Sequence, residues 1–455
     1  MSLGEIESLK DRVAVLGLGY VGLTMVACLA KKGIETVGVD VDRDKIKILS
    51  KGKSPIYEPG LEELINEGLK AKKLRITDDH TKALKDSEII FICVGTPTKS
   101  NGSISLEQIE SASEYIGESL KDIETYKLII VRSTVIPGTS EKVIKHIIEE
   151  KSGKKCGISF GLCINPEFLR EGSAVQDMLK PDRIIIGQHD NKSGKLLEDF
   201  YRRLYSHDIP KCFRTSLANA ELIKYANNTF LATKVSFINS IANLCERIPG
   251  SDIEAIVKGI GMDPRIATLF FRAGLGWGGS CFPKDLKAIL AYSRSLDLTM
   301  PIIEAALKVN ESRPLRAVDK VRELLGDLKG KKIAILGLAF KPNTDDIREA
   351  VSIKIIEELL HDSAEIFAYD PKAMNNYRKI FGEKISFVDS AQECIKDAEC
   401  CIIVTEWDEF KDIKPEYFKA TMKRPLIIDG RRLYDAEKYS KKLEYFAVGL
   451  GFYQL

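Results

Sequence analysis

One cysteine lies in a sequence environment that suits covalent chemistry. Cys281 follows a glycine-rich run at residues 274–280 and precedes Lys284 and Asp285. Glycines let the backbone approach a neighbouring group closely. A nearby ammonium or helix N-terminus lowers the pKa of a thiol from about 8.5 and makes the nucleophilic thiolate available. The fragment therefore predicts a nucleophilic cysteine, although a structural turn or a phosphate-binding loop would have the same pattern.

The remaining cysteines and the histidines do not point to a metal site. The chain has ten cysteines and five histidines, with no C-x-x-C pair and no histidine at a metal-ligand spacing from a cysteine. We therefore expect no bound metal. Free thiols in this number indicate a reducing, cytoplasmic location. Six cysteines lie in apolar runs and are expected in the core, namely Cys28, Cys93, Cys163, Cys245, Cys400 and Cys401.

A second chemical pattern lies near the amino terminus. Gly17-Leu18-Gly19-Tyr20-Val21-Gly22 is a G-x-G-x-x-G turn between a predicted strand at 12–17 and a predicted helix at 20–32. Asp40 ends the next predicted strand, where an acid accepts the ribose hydroxyls of a dinucleotide. Because a carboxylate there repels a 2′-phosphate, the pattern predicts NAD rather than NADP, and Lys45 nearby weakens that preference.

Two hydroxyl-bearing loops follow predicted strands. Thr96 lies in the loop 94–98 and Thr134 in the loop 132–139. Open α/β sheets bind ligands at the carboxyl ends of their strands. These loops therefore suit contacts to the nicotinamide ribose, although either alone would be an ordinary loop.

The elements that position these residues alternate between apolar strands and helices. The pattern predicts parallel sheets covered on both faces. It starts near residue 12 and restarts after residue 330, where the second copy lacks two of the three glycines. We expect an α/β protein with two Rossmann-like doubly wound domains, joined by a long central helix at 218–247 that forms a dimer interface. The predicted domains are an NAD-binding domain at 1–212, a central helical region at 213–325 and a C-terminal domain at 326–455.

Composition excludes several classes of protein. The 455 residues carry a net charge of +2 and are 44% hydrophobic and 29% charged, as in ordinary globular proteins. This balance gives no global attraction to nucleic acid or to anionic membranes. No apolar run approaches the roughly 20 residues of a membrane span, and the polar segment 1–12 predicts no secretory signal.

Taken together, the motifs resemble a known family. The chain has GLGYVG, VGTPT, RSTVIPGT, NPEFLREG at 165–172, AELIK at 220–224 with Asn228, GGSCFPKD and GLAFK at 337–341. In this order they resemble the UDP-glucose/GDP-mannose dehydrogenase family, and GGSCFPKD is most similar to its UDP-glucose branch. The resemblance implies NAD-dependent, four-electron oxidation of C6 of UDP-glucose to UDP-glucuronate.

The resemblance also implies roles for individual residues. Cys281 carries the thiohemiacetal and thioester, Lys224 and Asn228 stabilise the oxyanion, Glu167 assists hydrolysis, and Thr134 and Asp285 hold or activate water. The implied NAD contacts are Gly17, Gly19, Tyr20, Val21, Gly22, Asp40, Lys45, Thr96, Thr134, Glu171, Lys284 and Arg348. The implied substrate contacts are Glu167, Phe168, Leu169, Arg170, Glu171, Lys224, Asn228, Arg265, Phe270, Phe271, Arg272, Ala273, Gly274, Gly278, Lys341 and Arg431, with Arg265 reaching the neighbouring subunit's substrate.

Several alternatives stay open at this point. The same chemistry on a UDP-N-acetylhexosamine or on GDP-mannose is the nearest, because Phe271, Arg272 and Trp277 depart from the family pattern. A two-electron β-hydroxyacid-type dehydrogenase would need neither Cys281 nor the C-terminal domain. A catalytically silent NAD-binding regulator is disfavoured because Cys281, Lys224, Asn228 and Glu167 occur together.

Overall fold

The computed structural model describes residues 11–451. It divides into two compact units. Unit 1 comprises Met1–Asn227 with Lys287–Tyr292, and unit 2 comprises Asn228–Leu286 with Ser293–Leu455. Most of the polar segment 1–12 lies outside the described residues, and the three predicted domain boundaries stay a prediction.

Unit 1 is built on an eight-stranded sheet in the order β3-β2-β1-β4-β5-β6-β7-β8. The strands are β1 Arg12–Leu16, β2 Glu35–Val39, β3 Leu74–Thr77, β4 Ile89–Ile92, β5 Lys127–Val131, β6 Phe160–Ile164, β7 Arg183–Gln188 and β8 Lys211–Ser216. The helices are α1 Tyr20–Lys31, α2 Arg43–Ser50, α3 Leu61–Lys70, α4 His80–Asp86, α5 Glu107–Leu120, α6 Lys145–Ser152, α7 Ala174–Leu179 and α8 Asn191–Leu204. The central strands β4, β5 and β6 are buried along their whole length, which explains their continuous apolar sequence.

One strand pair departs from the predicted parallel arrangement. β6 and β7 run antiparallel, with Ile164 opposite Gly187, while the other pairs of this sheet are parallel. A parallel pair needs a connection that crosses back to the opposite end of the sheet. The loop 165–173 and the short helix α7 make no such crossing, so β7 starts at the end where β6 stops.

Helices link the two sheets. The long helix α9 spans Leu217–Cys245, close to the predicted 218–247, and the boundary between the units falls within it. The following helices are α10 Ile253–Gly261, α11 Phe282–Arg294, α12 Pro301–Ser312 and α13 Leu315–Leu325. A chain free of proline and glycine over 29 residues explains why α9 is uninterrupted.

Unit 2 contains a six-stranded parallel sheet in the order β11-β10-β9-β12-β13-β14. The strands are β9 Lys332–Leu336, β10 Glu365–Tyr369, β11 Ser386–Phe387, β12 Cys400–Ile403, β13 Leu426–Asp429 and β14 Glu444–Ala447. The helices are α14 Val351–His361, α15 Met374–Phe381, α16 Ala391–Ile395, α17 Pro415–Thr421 and α18 Ala436–Ser440. This is the doubly wound order 3-2-1-4-5-6, so the prediction of two Rossmann-like domains with a central helical region is confirmed.

The predicted core cysteines are all buried, while Cys281 is half-buried. The cytoplasmic location inferred from free thiols stays a prediction. Among the described residues, every helix is too short or too polar to cross a bilayer.

Candidate active site

The glycine-rich turn after β1 has the shape of a dinucleotide cradle. Gly17 has φ +92°, and a Cβ there would lie 2.9 Å from the backbone of Cys93. A Cβ on Gly22 would lie 1.9 Å from the carbonyl oxygen of Gly17, so strand and helix pack too closely for a side chain. Around Gly19 a Cβ would meet nothing within 4 Å. The turn therefore leaves an open face at the N-terminus of α1, which fits a pyrophosphate.

Asp40 lies beside this turn and is part of it. Its Oδ2 accepts the backbone N–H of Leu18 at 2.8 Å and the ammonium of Lys45 at 2.7 Å, and its Oδ1 accepts the N–H of Asp42 at 3.0 Å. Burial alone would raise the pKa of Asp40, but the Lys45 ammonium and these N–H donors outweigh it and hold the pKa below its usual value. The carboxylate stays charged at neutral pH, as the predicted ribose contact requires.

The corresponding acid in unit 2 is buried and hydrogen-bonded within the unit. Asp370 directly follows β10, as Asp40 directly follows β2, and its Oδ2 accepts the N–H of Leu338 at 2.7 Å. It also accepts from Ala339 and the indole of Trp407, and it is fully buried. The second sheet therefore repeats the turn but offers no carboxylate to a ribose, in agreement with its missing glycines.

Loss of the Asp40 carboxylate should weaken NAD binding. We expect Asp40→Ala to raise the Kd for NAD by roughly 5- to 150-fold, as for the loss of a charge-assisted hydrogen bond of about 1–3 kcal/mol. Fluorescence titration of NADH and competition by NAD measure the effect. Asp42→Ala is the control, since it removes only a side-chain cap of α2. An unchanged Kd in Asp40→Ala would contradict the role given to this acid.

The two hydroxyl-bearing loops meet at the carboxyl edge of the first sheet. Thr96 donates its hydroxyl to the carbonyl of Thr134 at 3.0 Å, and Ser133 donates to the carbonyl of Val94 at 2.7 Å. A residue to which the sequence assigned no role holds the second loop. The buried carboxylate of Glu221 accepts the N–H groups of Gly138 at 2.6 Å and Ser140 at 2.8 Å.

Glu167 and Lys224 form a buried ion pair in unit 1. The ammonium lies 2.9 Å from Oε1 of Glu167 and donates to the carbonyl of the same residue at 2.7 Å, and both side chains are at least 93% buried. Burial would raise the pKa of Glu167, but the charge and hydrogen bond of Lys224, the N–H of Leu169 and the charge of Arg132 lower it below its usual value. The Glu167 carboxyl group is therefore ionised at neutral pH.

The loop after β6 is fixed at both ends by buried contacts that sequence reasoning missed. At its start, the guanidinium of Arg132 and the hydroxyl of Tyr201 both donate to the side chain of Asn165. At its end, the buried carboxylate of Glu58 accepts the N–H of Gly172 at 2.6 Å and the hydroxyl of Tyr20. Glu58 therefore joins the dinucleotide turn to the loop that carries Glu167.

Within that loop the predicted contact residues differ in exposure. Phe168 packs under the guanidinium of Arg183, with 4.1 Å to the ring centroid. The N–H of Leu169 donates to Glu167 at 2.6 Å. Arg170 is exposed and pairs with Asp177 at 2.6 Å, whereas Glu171 is half-buried.

Cys281 lies in unit 2, directly before the first residue of α11. Asp285 in the first turn of α11 is buried, and its carboxylate accepts the side-chain amide of Asn228 at 2.6 Å and the ammonium of Lys284 at 2.6 Å. The Sγ atom of Cys281 lies 3.6 Å from the hydroxyl oxygen of Ser280. A thiol at a helix N-terminus is favourably placed for ionisation.

The glycines before Cys281 are required by close packing within unit 2. A Cβ on Gly278 would lie 2.2 Å from the carbonyl oxygen of Glu349, and one on Gly279 would lie 2.7 Å from the ring of Phe340. Gly279 also donates its N–H to the carbonyl of Arg348 at 2.9 Å. The loop that positions Cys281 is therefore seated on the segment 340–349, which contains the predicted ligand residues Lys341 and Arg348.

Arg431 connects the same loop to β12. Its guanidinium donates to the carbonyls of Val404 at 2.6 Å and Gly276 at 3.2 Å, and a Cβ on Gly274 would lie 2.8 Å from its Nη1. Burial lowers the pKa of Arg431, although Glu406 offsets part of that effect. Arg431 is therefore a partly buried cation beside the glycine loop.

The other predicted substrate residues in unit 2 differ in how far they are exposed. Arg265 and Phe270 are exposed, and Arg265 pairs with Asp263. Arg272 is largely exposed and pairs with Glu406 at 3.1 Å. Phe271 and Ala273 are buried in the hydrophobic core of the unit.

The predicted residues thus form two sets. Unit 1 brings together the dinucleotide turn, the Thr96 and Thr134 loops and the Glu167–Lys224 pair. Unit 2 brings together Cys281 with the Asn228–Asp285 pair. Unit 1 thus supplies a buried cation and a carboxylate, and unit 2 supplies a half-buried thiol and an amide hydrogen-bonded to a carboxylate.

Comparison with known proteins identifies all three parts of the chain. Residues 11–205 match the NAD binding domain of the UDP-glucose/GDP-mannose dehydrogenase family, residues 218–312 match its central domain, and residues 334–436 match its UDP binding domain. These matches confirm the resemblance drawn from the motifs and support NAD as the cofactor.

Individual relatives are similar over nearly the whole chain. UDP-glucose 6-dehydrogenase TuaD of Bacillus subtilis is 41% identical over 427 residues, covering 94% of this chain and 90% of the relative. UDP-glucose 6-dehydrogenase AglM of Haloferax volcanii is 42% identical over 422 residues, covering 92% and 96%. The UDP-glucose dehydrogenase structure from Pyrobaculum islandicum has a TM-score of 0.89 at 36% identity, covering 99% of this chain and 100% of that chain. The chain belongs to the UDP-glucose/GDP-mannose dehydrogenase family.

Proposed function

We propose that this protein oxidises the C6 alcohol of UDP-glucose to the carboxylate of UDP-glucuronate, with NAD as hydride acceptor. The observation that carries the proposal is the half-buried Cys281 at the N-terminus of α11, in a chain that matches this family along its length. The balanced reaction consumes one alcohol, two NAD⁺ and one water, and releases one carboxylate, two NADH and three protons.

The thiol solves the problem of holding a half-oxidised sugar. The first hydride leaves C6 and the alcohol releases its hydroxyl proton, which gives an aldehyde. The thiolate of Cys281 adds to the aldehyde carbon, and the resulting alkoxide takes a proton to give a thiohemiacetal. Loss of the second hydride, together with the hydroxyl proton of the thiohemiacetal, leaves a thioester. Water then attacks the carbonyl carbon, the C–S bond breaks, and the thiolate is regenerated. NAD, when bound, supplies the acceptor for both hydrides.

The buried polar groups have roles in this sequence. Lys224 and Asn228 are donors four residues apart on α9 and are proposed to stabilise the developing oxyanion. Glu167 is a charged carboxylate, held by Lys224, and is proposed to assist the attack of water. Asp285 orients Asn228 through the hydrogen bond between their side chains.

Stoichiometry tests the chemistry, and a substrate panel tests the specificity. We expect two NADH per UDP-glucose consumed, followed at 340 nm with sugar limiting and NAD in excess. The kcat/KM for UDP-glucose should be higher than that for UDP-N-acetylglucosamine, UDP-N-acetylmannosamine or GDP-mannose. One NADH per sugar would contradict the four-electron reaction, whereas two NADH with a different preferred sugar would retain the chemistry and replace the substrate.

We further propose that the protein forms a homodimer through α9. Phe230, Phe237 and Leu244 are seven residues apart, so they share one face of the helix, and each is more than half exposed. Met262 and Leu269, in the segment after α10, are also largely exposed. Large apolar side chains clustered on one helix face mark an interaction surface, and their covering by a second copy explains their exposure here.

Light scattering on a size-exclusion column tests the dimer. We expect a mass twice the 50.8 kDa of one chain. Phe237→Glu should shift the mass to that of a monomer, because it places a charge in the centre of the apolar face. Lys419→Glu is the control, since it also introduces an acid at an exposed helix position but lies on α17. A wild-type monomer, or a Phe237→Glu dimer, would contradict the proposal.

A further inference from the structure

Unit 2 contains a cavity to which none of the roles above applies. It has a volume of about 370 Å³ and lies between the C-terminal end of α9, helix α13 and the strands β13 and β14. This volume is in the range of small-molecule sites. Its apolar wall includes Ile428, Phe446 and Leu450, and its polar wall includes Glu246, Arg313 and Arg316.

The polar wall has more positive than negative charge around Glu246. Glu246 is shared by two guanidinium groups, with 2.9 Å to Arg313 and 2.9 Å to Arg316. Its carboxylate also accepts the N–H of Gly449 at 3.0 Å. One carboxylate thus faces two cations, and Arg313 is almost fully buried. The buried Nε of Arg316 has no hydrogen-bond partner among residues 11–451.

The cavity also has cations without strong carboxylate partners. Arg247 is exposed and has no ion pair within the described part of the chain. Lys320 pairs with Glu323, three residues away, at 2.7 Å, but such an exposed pair is weak. The Lys320 ammonium also lies 5.2 Å from the ring centroid of Phe446. The third lining carboxylate, Asp319, pairs with Arg322 at 3.4 Å.

We propose that this cavity binds a small organic anion, with one acidic group on an aromatic or aliphatic body. The acidic group is placed among the cations of the cavity wall, Arg316, Lys320 and Arg247. The body packs on Phe446, Ile428 and Leu450. A neutral ligand would leave these cations without a further counter-charge, and a fully polar ion would leave the apolar wall in contact with water.

The site is connected to the glycine loop through Arg313. The same guanidinium that pairs with Glu246 donates its Nε to the carbonyl of Gly274 at 2.8 Å. Leu275, the next residue, lines the cavity. A ligand that changes the contacts of Glu246 would therefore change, through Arg313, the position of the segment that precedes Cys281. The binding proposal does not depend on the proposed reaction.

The fluorescent anion 8-anilinonaphthalene-1-sulfonate is a suitable probe, because it has one sulfonate on an aromatic body. The full chain is titrated with saturating NAD and UDP present, so that nucleotide sites are occupied. We expect saturable binding of one probe per chain. Arg316→Met and Lys320→Met should each weaken it about fivefold or more. Lys411→Met is the matched control, because Lys411 also pairs with an acid three residues away, Asp408, and lies outside the cavity.

A neutral analogue separates charge from hydrophobic contact. N-Phenyl-1-naphthylamine has the same aromatic body without the sulfonate and should bind the wild-type protein at least about fivefold more weakly. Absence of saturable probe binding, binding that survives both cavity substitutions, or equal affinity for the neutral analogue would each overturn the proposal. Lys320 is half-buried and its ion pair is with a residue of its own helix, so Lys320→Met keeps the test valid if Arg316→Met fails to fold.

Discussion

Cys281→Ser is expected to lower sustained NADH formation from UDP-glucose by roughly 10³-fold or more, since removal of a covalent nucleophile has effects of this order. A serine hydroxyl at this position has a far higher pKa than a thiol. It is therefore not deprotonated at neutral pH and does not capture the aldehyde as a hemiacetal. The first oxidation can still reach its equilibrium, but without capture of the aldehyde the second hydride is not released. The measurement is steady-state absorbance at 340 nm.

The control for this substitution is Cys212→Ser. Cys212 is also half-buried but lies in unit 1, on β8. It should retain wild-type turnover, and both variants should retain affinity for UDP-glucose. In the wild-type enzyme, rapid acid quenching and intact mass spectrometry should show a sugar-nucleotide adduct on Cys281. Turnover by Cys281→Ser near the wild-type rate would exclude the thioester route.

The second large effect is expected for Lys224→Met. Removing one partner of a buried ion pair costs about 3–5 kcal/mol of unfolding free energy, because the other charge is left uncompensated. Here that charge is Glu167, whose pKa Lys224 helps to lower. Activity should fall by roughly 10²- to 10³-fold, as for the loss of one oxyanion donor. Chemical denaturation and steady-state kinetics measure the two effects separately.

The double variant Lys224→Met/Glu167→Gln distinguishes structure from chemistry. Replacing the orphaned carboxylate with a neutral amide should recover most of the lost stability without restoring turnover. If the double variant recovered activity, neither Lys224 nor Glu167 would have the catalytic role proposed for it. If Lys224→Met were as stable as the wild type, the ion pair in the structure would be of no energetic importance.

The same pair predicts how stability depends on pH. A carboxyl group with a folded-state pKa below its unfolded value stabilises the folded state at pH values above about 4.3, the ordinary pKa of glutamate. Its contribution is lost as the pH falls through the lowered folded-state pKa. Wild-type stability should therefore decrease more steeply below pH 4.3 than that of Glu167→Gln.

The features that local sequence could predict are those set by neighbouring residues. The turn at Gly17–Gly22 and the acid Asp40 were predictable because glycine spacing and strand length fix them locally. The apolar runs predicted the two sheets, and the long stretch without proline or glycine predicted α9. The antiparallel β7 was not predictable, because it depends on the path of the loop after β6.

The polar residues that were missed act across long distances in sequence. Glu58 holds Gly172, which lies 114 residues away, and Glu221 holds Gly138, which lies 83 residues away. Glu58 has no distinctive local pattern, and Glu221 belongs to the AELIK motif without a role assigned to it, so only the folded chain shows that each is buried against backbone donors. The glycines at 278 and 279 were recognised, but the groups they approach, Glu349 and Phe340, were not.

The buried acid of the second sheet also limits protein engineering. A design that restores three glycines after β9 would still lack a ribose acceptor, because Trp407 and the backbone of Leu338 and Ala339 already occupy the carboxylate of Asp370. Releasing that side chain would unpair several buried donors at once. Duplicated halves that have diverged in this way are not interchangeable, and a second cofactor pocket would need a new acid on a neighbouring strand.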